Sequence, residues 1–365
     1  MKKTKVAVLK TKPETVVDDY AHLMEMAGLR EALNIHTPTI IKDNISWHFP
    51  MPGANTTPWQ LDGVLSTLKG SGFEDVHAVE NKTVVTRPKY GEKSNNLDRV
   101  YKKYGIPVLY NFEPKDMSWI PYHPKSEMSV LSKLYPEGIP IPDFFIGKNI
   151  IHLPTMKCHI YTMTTGAMKN AFGGLLSTKR HYTHSWIHET LVDLLKIQKE
   201  IHSGIFAVMD GTTAGNGPGP RTLIPTRTDC ILASADQVAI DSVAARIMGF
   251  HPMDIDYIRI ADEQRLGNGK PENIEVVGDN VSNLDLHFHV GHNLASRFGH
   301  LFWFSPLKVF QNLLFRTPLV YLFVIASDLY HDKFWWNRRG KNIFDDWKKT
   351  SPWGALWVQY QQESL

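Results

Sequence analysis

Short apolar runs alternate along this chain with longer segments of helical periodicity, and no other feature limits the fold as much. Each run is too short for a helix and is bounded by polar or turn residues, as buried strands are. The predicted strands lie at residues 5–9, 39–41, 76–79, 149–153, 205–209 and 230–234. Repeated strand-helix-strand units predict an α/β fold, with a mainly parallel sheet, flanking helices and two closely joined lobes.

Local signals mark the helices between these strands. Thr57 followed by Pro58 offers an N-cap and a first-turn proline, and apolar residues then recur at helical spacing until Gly70. Another amphipathic helix is predicted over residues 187–201. A third follows Asp236 and carries Asp241 within an otherwise apolar stretch, where a buried acid needs a lysine or a backbone N–H as its partner.

Two regions depart from this pattern. Residues 88–142 are rich in Pro, Tyr and Lys and predict an irregular insertion within a family domain that spans 1–285. Residues 286–365 form an aromatic-rich, helical C-terminal extension, whose longest apolar run, 318–326, is shorter than the roughly 20 residues that span a bilayer. For residues 301–341 we leave open an internal helical pair, a protein contact and a peripheral membrane anchor.

Composition excludes several function classes. A net charge of +3 with interspersed acids and bases does not indicate a nucleic-acid surface. Cys158 and Cys230 are the two cysteines, too few for a cysteine-ligated iron-sulfur cluster within one chain. The N-terminus lacks the apolar core of a secretory signal, so we expect a cytoplasmic protein, whose oligomeric state is left open.

Polar side chains follow three of the predicted strands. In open α/β sheets, ligands gather beyond the carboxyl ends of strands. Lys42 and Asn44 follow one strand, Lys157 and His159 a second, and Asp210 a third. This recurrence predicts a site for a small anion at one edge of the sheet.

Two glycine-rich stretches supply further candidates. Residues 164–174 surround Lys169 and Asn170 with glycines, and residues 210–220 can present consecutive N–H groups to an anion. Neither has the Walker or dinucleotide pattern, so ATP and NAD are not indicated. The predicted substrate-binding residues are Lys42, Asn44, Lys157, Asn170, Gly215, Asn216 and Gly217.

Histidines suggest a metal ion. His181 and His184 stand at i and i+3, a spacing that places both on one helix face, although two histidines make only half a zinc site and a solvated pair remains the alternative. His287 and His289 fall on one side of a predicted strand, with His292 beyond a glycine turn.

Taken together, these motifs resemble the bacterial and archaeal family called domain of unknown function 362, over residues 5–280. The resemblance rests on residues 41–44 with 56–57, 153–159, 165–173, 210–218 and 233–249. Many members carry a ferredoxin-like cysteine insert that this chain lacks, so the resemblance implies no attached cluster.

The family is also distantly similar to the nickel-pincer lactate racemases, which interconvert 2-hydroxy acids by hydride transfer. That comparison implies an isomerase or oxidoreductase, with Lys169 matching the tethering lysine and His184 or His181 the nickel ligand. The cofactor itself is not predicted for this chain.

The resulting expectation is an enzyme that acts on a small carboxylate-bearing anion by metal- or Lys/His-assisted proton or hydride chemistry. Lys169, His159 and Asp210 are the predicted catalytic residues, and His181 and His184 the predicted metal ligands. The alternative is a noncatalytic metal- or ligand-binding accessory protein with a C-terminal docking segment.

Overall fold

A large, mostly parallel sheet organises the protein. The computed structural model describes residues 3–83, 85–281, 283–292, 317 and 320–362. Its strands are β1 (Thr4–Lys10), β2 (Thr39–Lys42), β3 (Val76–Glu80), β4 (Val108–Tyr110), β5 (Trp119–Tyr122), β6 (Ile139–Pro142), β7 (Asn149–His152), β8 (Thr155–His159), β9 (Met163–Thr164), β10 (Gly204–Asn216), β11 (Ile224–Ser234) and β12 (Ile274–Gly278).

Helices cover the sheet. They are α1 (Val16–Met26), α2 (Leu29–Ala32), α3 (Pro58–Gly70), α4 (Pro88–Ser94), α5 (Leu97–Tyr104), α6 (Leu131–Leu134), α7 (Gly166–Asn170), α8 (Ile187–Ile201), α9 (Gln237–Met248), α10 (Asp256–Glu263), α11 (Val320–Asp328), α12 (Lys341–Thr350) and α13 (Pro352–Gln362). The predicted α/β class with a mainly parallel sheet and flanking helices is confirmed.

The strand order places the polar residues at the carboxyl ends of neighbouring strands along one edge of the sheet. Within the described residues the order is β12-β1-β11-β10-β7-β2-β3-β4, and β8 pairs with β10 and β9. From β10 through β7, β2 and β3 to β4, each strand is parallel to the next, whereas β11 is antiparallel to both β10 and β1. Parallel strands end at the same edge, and in β2 and β7 Lys42 lies opposite His152.

The local helix signals identify α3 correctly. Thr57 caps the helix by accepting a hydrogen bond from the Gln60 backbone, Pro58 occupies the first turn, and the Gln60 side chain completes a capping box. These contacts lie within a few residues, so they are readable from sequence. Asp210 extends the same cap, because it accepts a hydrogen bond from the Thr57 hydroxyl.

Two predicted irregular regions are regular. Residues 88–110 hold α4, α5 and β4, an edge strand of the main sheet, so the predicted irregular insertion is wrong there; residues 119–142 contain the β5–β6 pair. The strand predicted over residues 205–209 is also longer than expected, since β10 continues to Asn216 by pairing with β11. Threonines and glycines hide that strand in the sequence, and only the partner strand defines it.

The end of the chain packs on its beginning. Trp353 and Trp357 of α13 are buried in the same hydrophobic core as Trp59 of α3, and the Trp353 and Trp59 rings lie 5.5 Å apart. The Tyr360 hydroxyl donates to Asp62 Oδ2 at 2.7 Å. Among the residues that the structure describes, every helix is too short or too polar to reach across a bilayer.

Candidate anion-binding site

The ends of β2 and β8 meet around Lys157. Its ammonium group donates hydrogen bonds to Asn44 Oδ1, to the Ala54 carbonyl and to Ser46 Oγ, the last at 3.0 Å. Asn44 in turn donates to Asn170 Oδ1 at 3.3 Å. Lys157 is buried, and each of these acceptors is neutral. Burial and the nearby charge of Lys169 hold the pKa of Lys157 well below its usual range.

Lys42 faces away from this cluster. Its Nζ donates to the Asp43 carbonyl at 2.6 Å and lies 3.7 Å from Asp43 Oδ1. Its side chain packs beneath Gly174, where an added Cβ would come within 3.1 Å of Lys42 Cε. Lys42 therefore adjoins the predicted site with its charge already paired.

Lys169 differs from both of these lysines. It lies half-buried on α7, with its Nζ 5.3 Å from the centre of the Phe172 ring. In the described part of the chain, no hydrogen bond or carboxylate satisfies that Nζ. Burial, with the nearby Arg180 guanidinium, lowers the pKa of Lys169 to about 7. Its amine thus exchanges a proton near neutral pH.

Arg180 is a site residue that the sequence reasoning missed. It is buried and donates from Nη1 to the carbonyls of Phe172 and Gly173, at 3.2 and 3.1 Å. Its guanidinium lies 5.5 Å from the same Phe172 ring that Lys169 contacts. Burial lowers the pKa of Arg180 to about 10. Its position directly before the predicted metal ligand His181 was the available signal, but nothing in that short polar stretch indicates burial.

His159 lies beside these cations as a neutral imidazole. It is buried at the end of β8, and its Nδ1 accepts a hydrogen bond from the Tyr161 backbone at 3.2 Å. Burial and then Lys169 keep the pKa of His159 well below its usual range. With Nδ1 accepting, the single ring proton sits on Nε2, so His159 offers a donor rather than a lone pair.

The predicted metal ligands are tested only in part. The His184 ring lies 5.9 Å from Tyr161 and 5.8 Å from Phe172, which places it in the same cluster as Lys169 and His159. The side chain of His181 lies outside the described residues. Over the ranges that the structure describes, no group of three or more His, Cys, Asp or Glu residues is arranged to hold a metal ion.

Asp210 is already occupied by hydrogen bonds. One oxygen accepts from the Thr57 hydroxyl, and the other accepts from the backbone and hydroxyl of Thr212 at 2.6 and 2.7 Å. Its burial raises the pKa of the carboxyl, while these donors oppose the rise. These hydrogen bonds connect the first turn of α3 to β10, which indicates a structural role for Asp210.

The predicted binding residues Gly215, Asn216 and Gly217 lie at the end of β10 and just beyond it, beside β8. Gly215 lies opposite Lys157 in the sheet, and an added Cβ at Gly215 would stand 3.0 Å from Lys157 Cβ. Asn216 Oδ1 accepts from the His289 backbone at 3.0 Å, and the Gly217 N–H donates to the His289 carbonyl at 3.1 Å. Residues 287–289 lie outside any strand, so the predicted histidine-bearing strand is wrong.

Asp241 fixes the helix that carries Lys169. Its carboxylate accepts hydrogen bonds from the backbone N–H groups of Ala167 and Met168, at 2.5 and 3.1 Å. The sequence predicted a buried acid with a lysine or a backbone N–H as partner, and the backbone partner is the one present. Burial raises the pKa of Asp241 to about 7, although both N–H donors oppose the rise.

An acid layer, made of Asp43, Glu80 and Glu92, lies behind Lys42. The Tyr101 hydroxyl donates to Asp43 at 2.5 Å, and the Tyr110 hydroxyl donates to Glu92 at 3.0 Å. All three acids are buried. Burial and the charge of Asp43 raise the pKa of Glu80 well above its usual range and that of Glu92 to about 7.

Comparison with known proteins identifies one family. The model of the family described as domain of unknown function (DUF362) matches residues 39–246. This range includes the three strand ends, α7, Arg180 and Asp241. No curated protein and no solved structure gives a significant match.

Proposed function

The chain belongs to the DUF362 family, and on that premise we propose that it is an enzyme that binds a small carboxylate-bearing anion and moves a proton beside that carboxylate. One observation carries the proposal. Lys157, Lys169 and Arg180 bring positive charge into the protein interior without a carboxylate partner among the described residues.

Such charges are costly until an anion pairs with them. A buried cation loses the solvation of water, and hydrogen bonds to neutral oxygens compensate only part of that loss. The pKa values of Lys169 and Arg180 are lowered because burial disfavours the charged form of each side chain. A bound carboxylate would restore the balance, which makes anion binding the favourable use of the site.

The three groups suit different tasks. Arg180 has guanidinium N–H groups beyond its Nη1 contacts and would hold the substrate carboxylate, a task for which its planar fork is shaped. All three N–H donors of the Lys157 ammonium group are used by Asn44, Ser46 and Ala54. Lys157 would therefore contribute positive electrostatic potential to the site without a direct hydrogen bond to the substrate. Lys169, with a pKa near neutral, is the group able to take up a proton.

The proposed step is a proton abstraction. In the fraction of complexes whose Lys169 amine is neutral, that amine removes the proton from the carbon next to the bound carboxylate, and the electron pair moves onto the substrate oxygens. The Nε2–H of His159 then donates a hydrogen bond to the oxygen that gains charge. Return of a proton to the same face restores the substrate with exchange of its hydrogen, and delivery of a proton to the opposite face inverts the carbon, which makes the reaction an isomerisation.

Other predictions stay open beside this proposal. A catalytic Asp210, metal binding at His181 and His184, oxidoreductase chemistry and the cytoplasmic location remain predictions from the sequence and the resemblance. The accessory-protein alternative predicts binding of the same anion without turnover. Turnover therefore separates the two functions.

The binding test replaces Lys169 with methionine. We expect small carboxylates to raise the unfolding temperature of the wild type and amides of the same acids to leave it unchanged. Lys169→Met should weaken carboxylate binding by about 30-fold or more, as expected when about 2 kcal/mol of a buried charge pair is lost. Wild-type affinity should fall as the pH rises through about 7, because Lys169 loses its proton there.

Lys148→Met is the matched control. Lys148 is also half-buried, with its Nζ 4.3 Å from the centre of the Phe144 ring, but it lies outside the site. It should leave carboxylate binding unchanged. Equal binding by wild type and Lys169→Met would contradict the assignment of Lys169.

The turnover test follows exchange of deuterium from heavy water into a panel of 2-hydroxy and 2-amino acids. Loss of a general base slows proton transfer by about 10²- to 10⁴-fold, so Lys169→Met should fall by that factor. Carboxylate binding without exchange across the panel would favour the accessory-protein alternative.

A further inference from the structure

One long helix near the end of the chain carries a face that the proposed reaction does not use. α11 runs into a π-helical stretch, Leu329–Gly340, which continues into α12. Asp328 and Gly340 both keep right-handed helical torsions, so the backbone stays helical through both junctions. The three pieces therefore present their side chains along a common axis.

Apolar side chains on this helix point into solvent. Leu322, Ile325 and Leu329 are 63%, 55% and 57% exposed, and they follow one another at i, i+3 and i+7, the spacing of one helix face. Phe334, at 49% exposure, comes five residues after Leu329, roughly one turn further along the π-helical stretch, whose hydrogen bonds run from i to i+5 and whose turns are wider than those of an α-helix. The four side chains form a continuous apolar stripe.

The acids of the same helix turn inward. Asp332 accepts a hydrogen bond from Trp47 Nε1 at 2.8 Å and lies 3.2 Å from His48 Nε2. Burial and the charge of Asp332 raise the pKa of Asp328, and the nearby charge of Arg221 opposes that rise. Arg221 itself donates to the Ser327 hydroxyl at 3.0 Å. Of the two acids between residues 320 and 341, Asp332 is thus paired with groups of the protein body, and Asp328 is partly buried near the Arg221 charge.

The bases of the same stretch point outward. Lys333, Arg338, Arg339 and Lys341 are all exposed, and no carboxylate pairs with any of them in the described ranges. The Arg338 guanidinium lies 4.4 Å from the centre of the Phe334 ring, so charge and apolar surface adjoin. We call Leu322, Ile325, Leu329 and Phe334 with these four bases the basic-apolar face.

We propose that the basic-apolar face docks on the surface of an anionic lipid bilayer. A helix with an apolar stripe flanked by lysines and arginines lies in the bilayer interface, with the stripe in the acyl boundary and the bases among anionic headgroups. Asp332 is paired inward and Asp328 is partly buried, so neither acid presents an exposed charge that such headgroups would repel. A like-charged second copy would bring the same bases together and repel, which disfavours a symmetric contact through this face.

The test measures cosedimentation of the full-length protein with vesicles of phosphatidylcholine alone and of phosphatidylcholine mixed with phosphatidylserine. We expect the protein to sediment with the mixed vesicles, and to do so less as salt rises. Lys333→Gln combined with Arg338→Gln should weaken binding about 25-fold, since each basic residue near an anionic surface contributes about fivefold.

Matched variants separate this face from general effects of charge or hydrophobicity. Ile325→Glu should abolish sedimentation, whereas Ile224→Glu, at 54% exposure on β11, should not change it. The pair Lys125→Gln and Lys133→Gln, two exposed lysines elsewhere, controls for the loss of two charges. Circular dichroism checks that each variant stays folded.

Three outcomes would overturn the proposal. In the first, the wild type does not sediment with the mixed vesicles. In the second, each matched control variant reduces cosedimentation as much as the variant it controls for. In the third, no variant and no wild type binds vesicles, and Ile325→Glu instead converts a dimer into a monomer. None of these bears on carboxylate binding, so this proposal and the proposed function fail independently.

Discussion

At the scale of single residues, burial assigns different roles to the same chemical group. Lys157 and Lys169 both come from the motifs that mark the site, yet Lys157 has three hydrogen-bond acceptors and Lys169 has none within the described residues. Sequence identifies both as lysines near strand or helix ends. Only the fold shows which of them is left to meet a ligand.

The acid layer yields a prediction about pH. Burial raises the pKa of Glu92 from 4.5 to about 7, so its carboxyl keeps its proton in the folded protein at pH values where the unfolded chain releases it. A raised folded-state pKa of an acid contributes stability below about pH 4.5, which is lost as the pH rises to about 7. Glu92→Gln should abolish this decline and exceed the wild type by up to about 3 kcal/mol at pH 8, at about 1.4 kcal/mol per pKa unit.

Urea unfolding across pH 4 to pH 8, roughly the titration range of such a carboxyl, measures this difference. The amide keeps an acceptor for the Tyr110 hydroxyl, so the substitution changes charge more than packing. Glu137→Gln, at an exposed position, is the control and should follow the wild type. An unchanged pH slope in Glu92→Gln would contradict the prediction.

At the scale of elements, α7 depends on a distant acid. Gly166 begins α7 with a φ of +64°, and an added Cβ there would lie 2.3 Å from the Asp241 carboxylate. Both the positive torsion and the close approach require glycine. The hydrogen bonds from Ala167 and Met168 to Asp241 then set the orientation of Lys169.

Gly166→Ala should therefore displace α7. We expect a loss of about 2–4 kcal/mol in the free energy of unfolding, from the strained torsion and the clash together, with weaker carboxylate binding. Gly70→Ala is the control, because Gly70 ends α3 with nothing within 4 Å of an added Cβ. It should be neutral or slightly stabilising. If Gly166→Ala lowers the free energy of unfolding no more than Gly70→Ala does, α7 tolerates a side chain at position 166, and the requirement for glycine there is contradicted.

The same scale explains what the sequence could and could not predict. The Thr57 cap and the Asp241 contacts leave local signals, a capping residue and an acid in an apolar stretch. The extension of β10 leaves none, because β11 alone makes residues 210–216 a strand. Arg180 and the acid layer were missed for a related reason: their burial comes from elements far apart in the chain.

At the scale of the whole molecule, the C-terminal helices complete the core around α3. Trp353 is fully buried, packs near Trp59 and donates from Nε1 to Asp229 Oδ1 at 2.6 Å. Its contacts join α13 to α3 and to β11, which are far apart in the sequence. The aromatic residues of 352–362 thus serve internal packing.

Trp353→Ala should reduce the free energy of unfolding by about 3–5 kcal/mol, the usual cost of removing a large buried side chain. Trp186→Ala removes an indole that is 39% exposed and is the matched control, with an expected loss of about 1 kcal/mol. Thermal and urea unfolding should agree on the order of the two variants. Equal losses would mean that α13 contributes little to the core.

The place of β1 in the sheet has a consequence for how the protein is made. β1 pairs with β11 on one side and with β12 on the other, at residues 230–233 and 274–278. More than 200 further residues must be synthesised after β1 before β11, the nearer of its two partner strands in the sequence, leaves the ribosome. The nascent chain must keep an apolar, unpaired strand in solution while the middle of the sheet assembles, a state that chaperones commonly shield. Translation speed and chaperone supply, rather than equilibrium stability, would then govern the yield of folded protein.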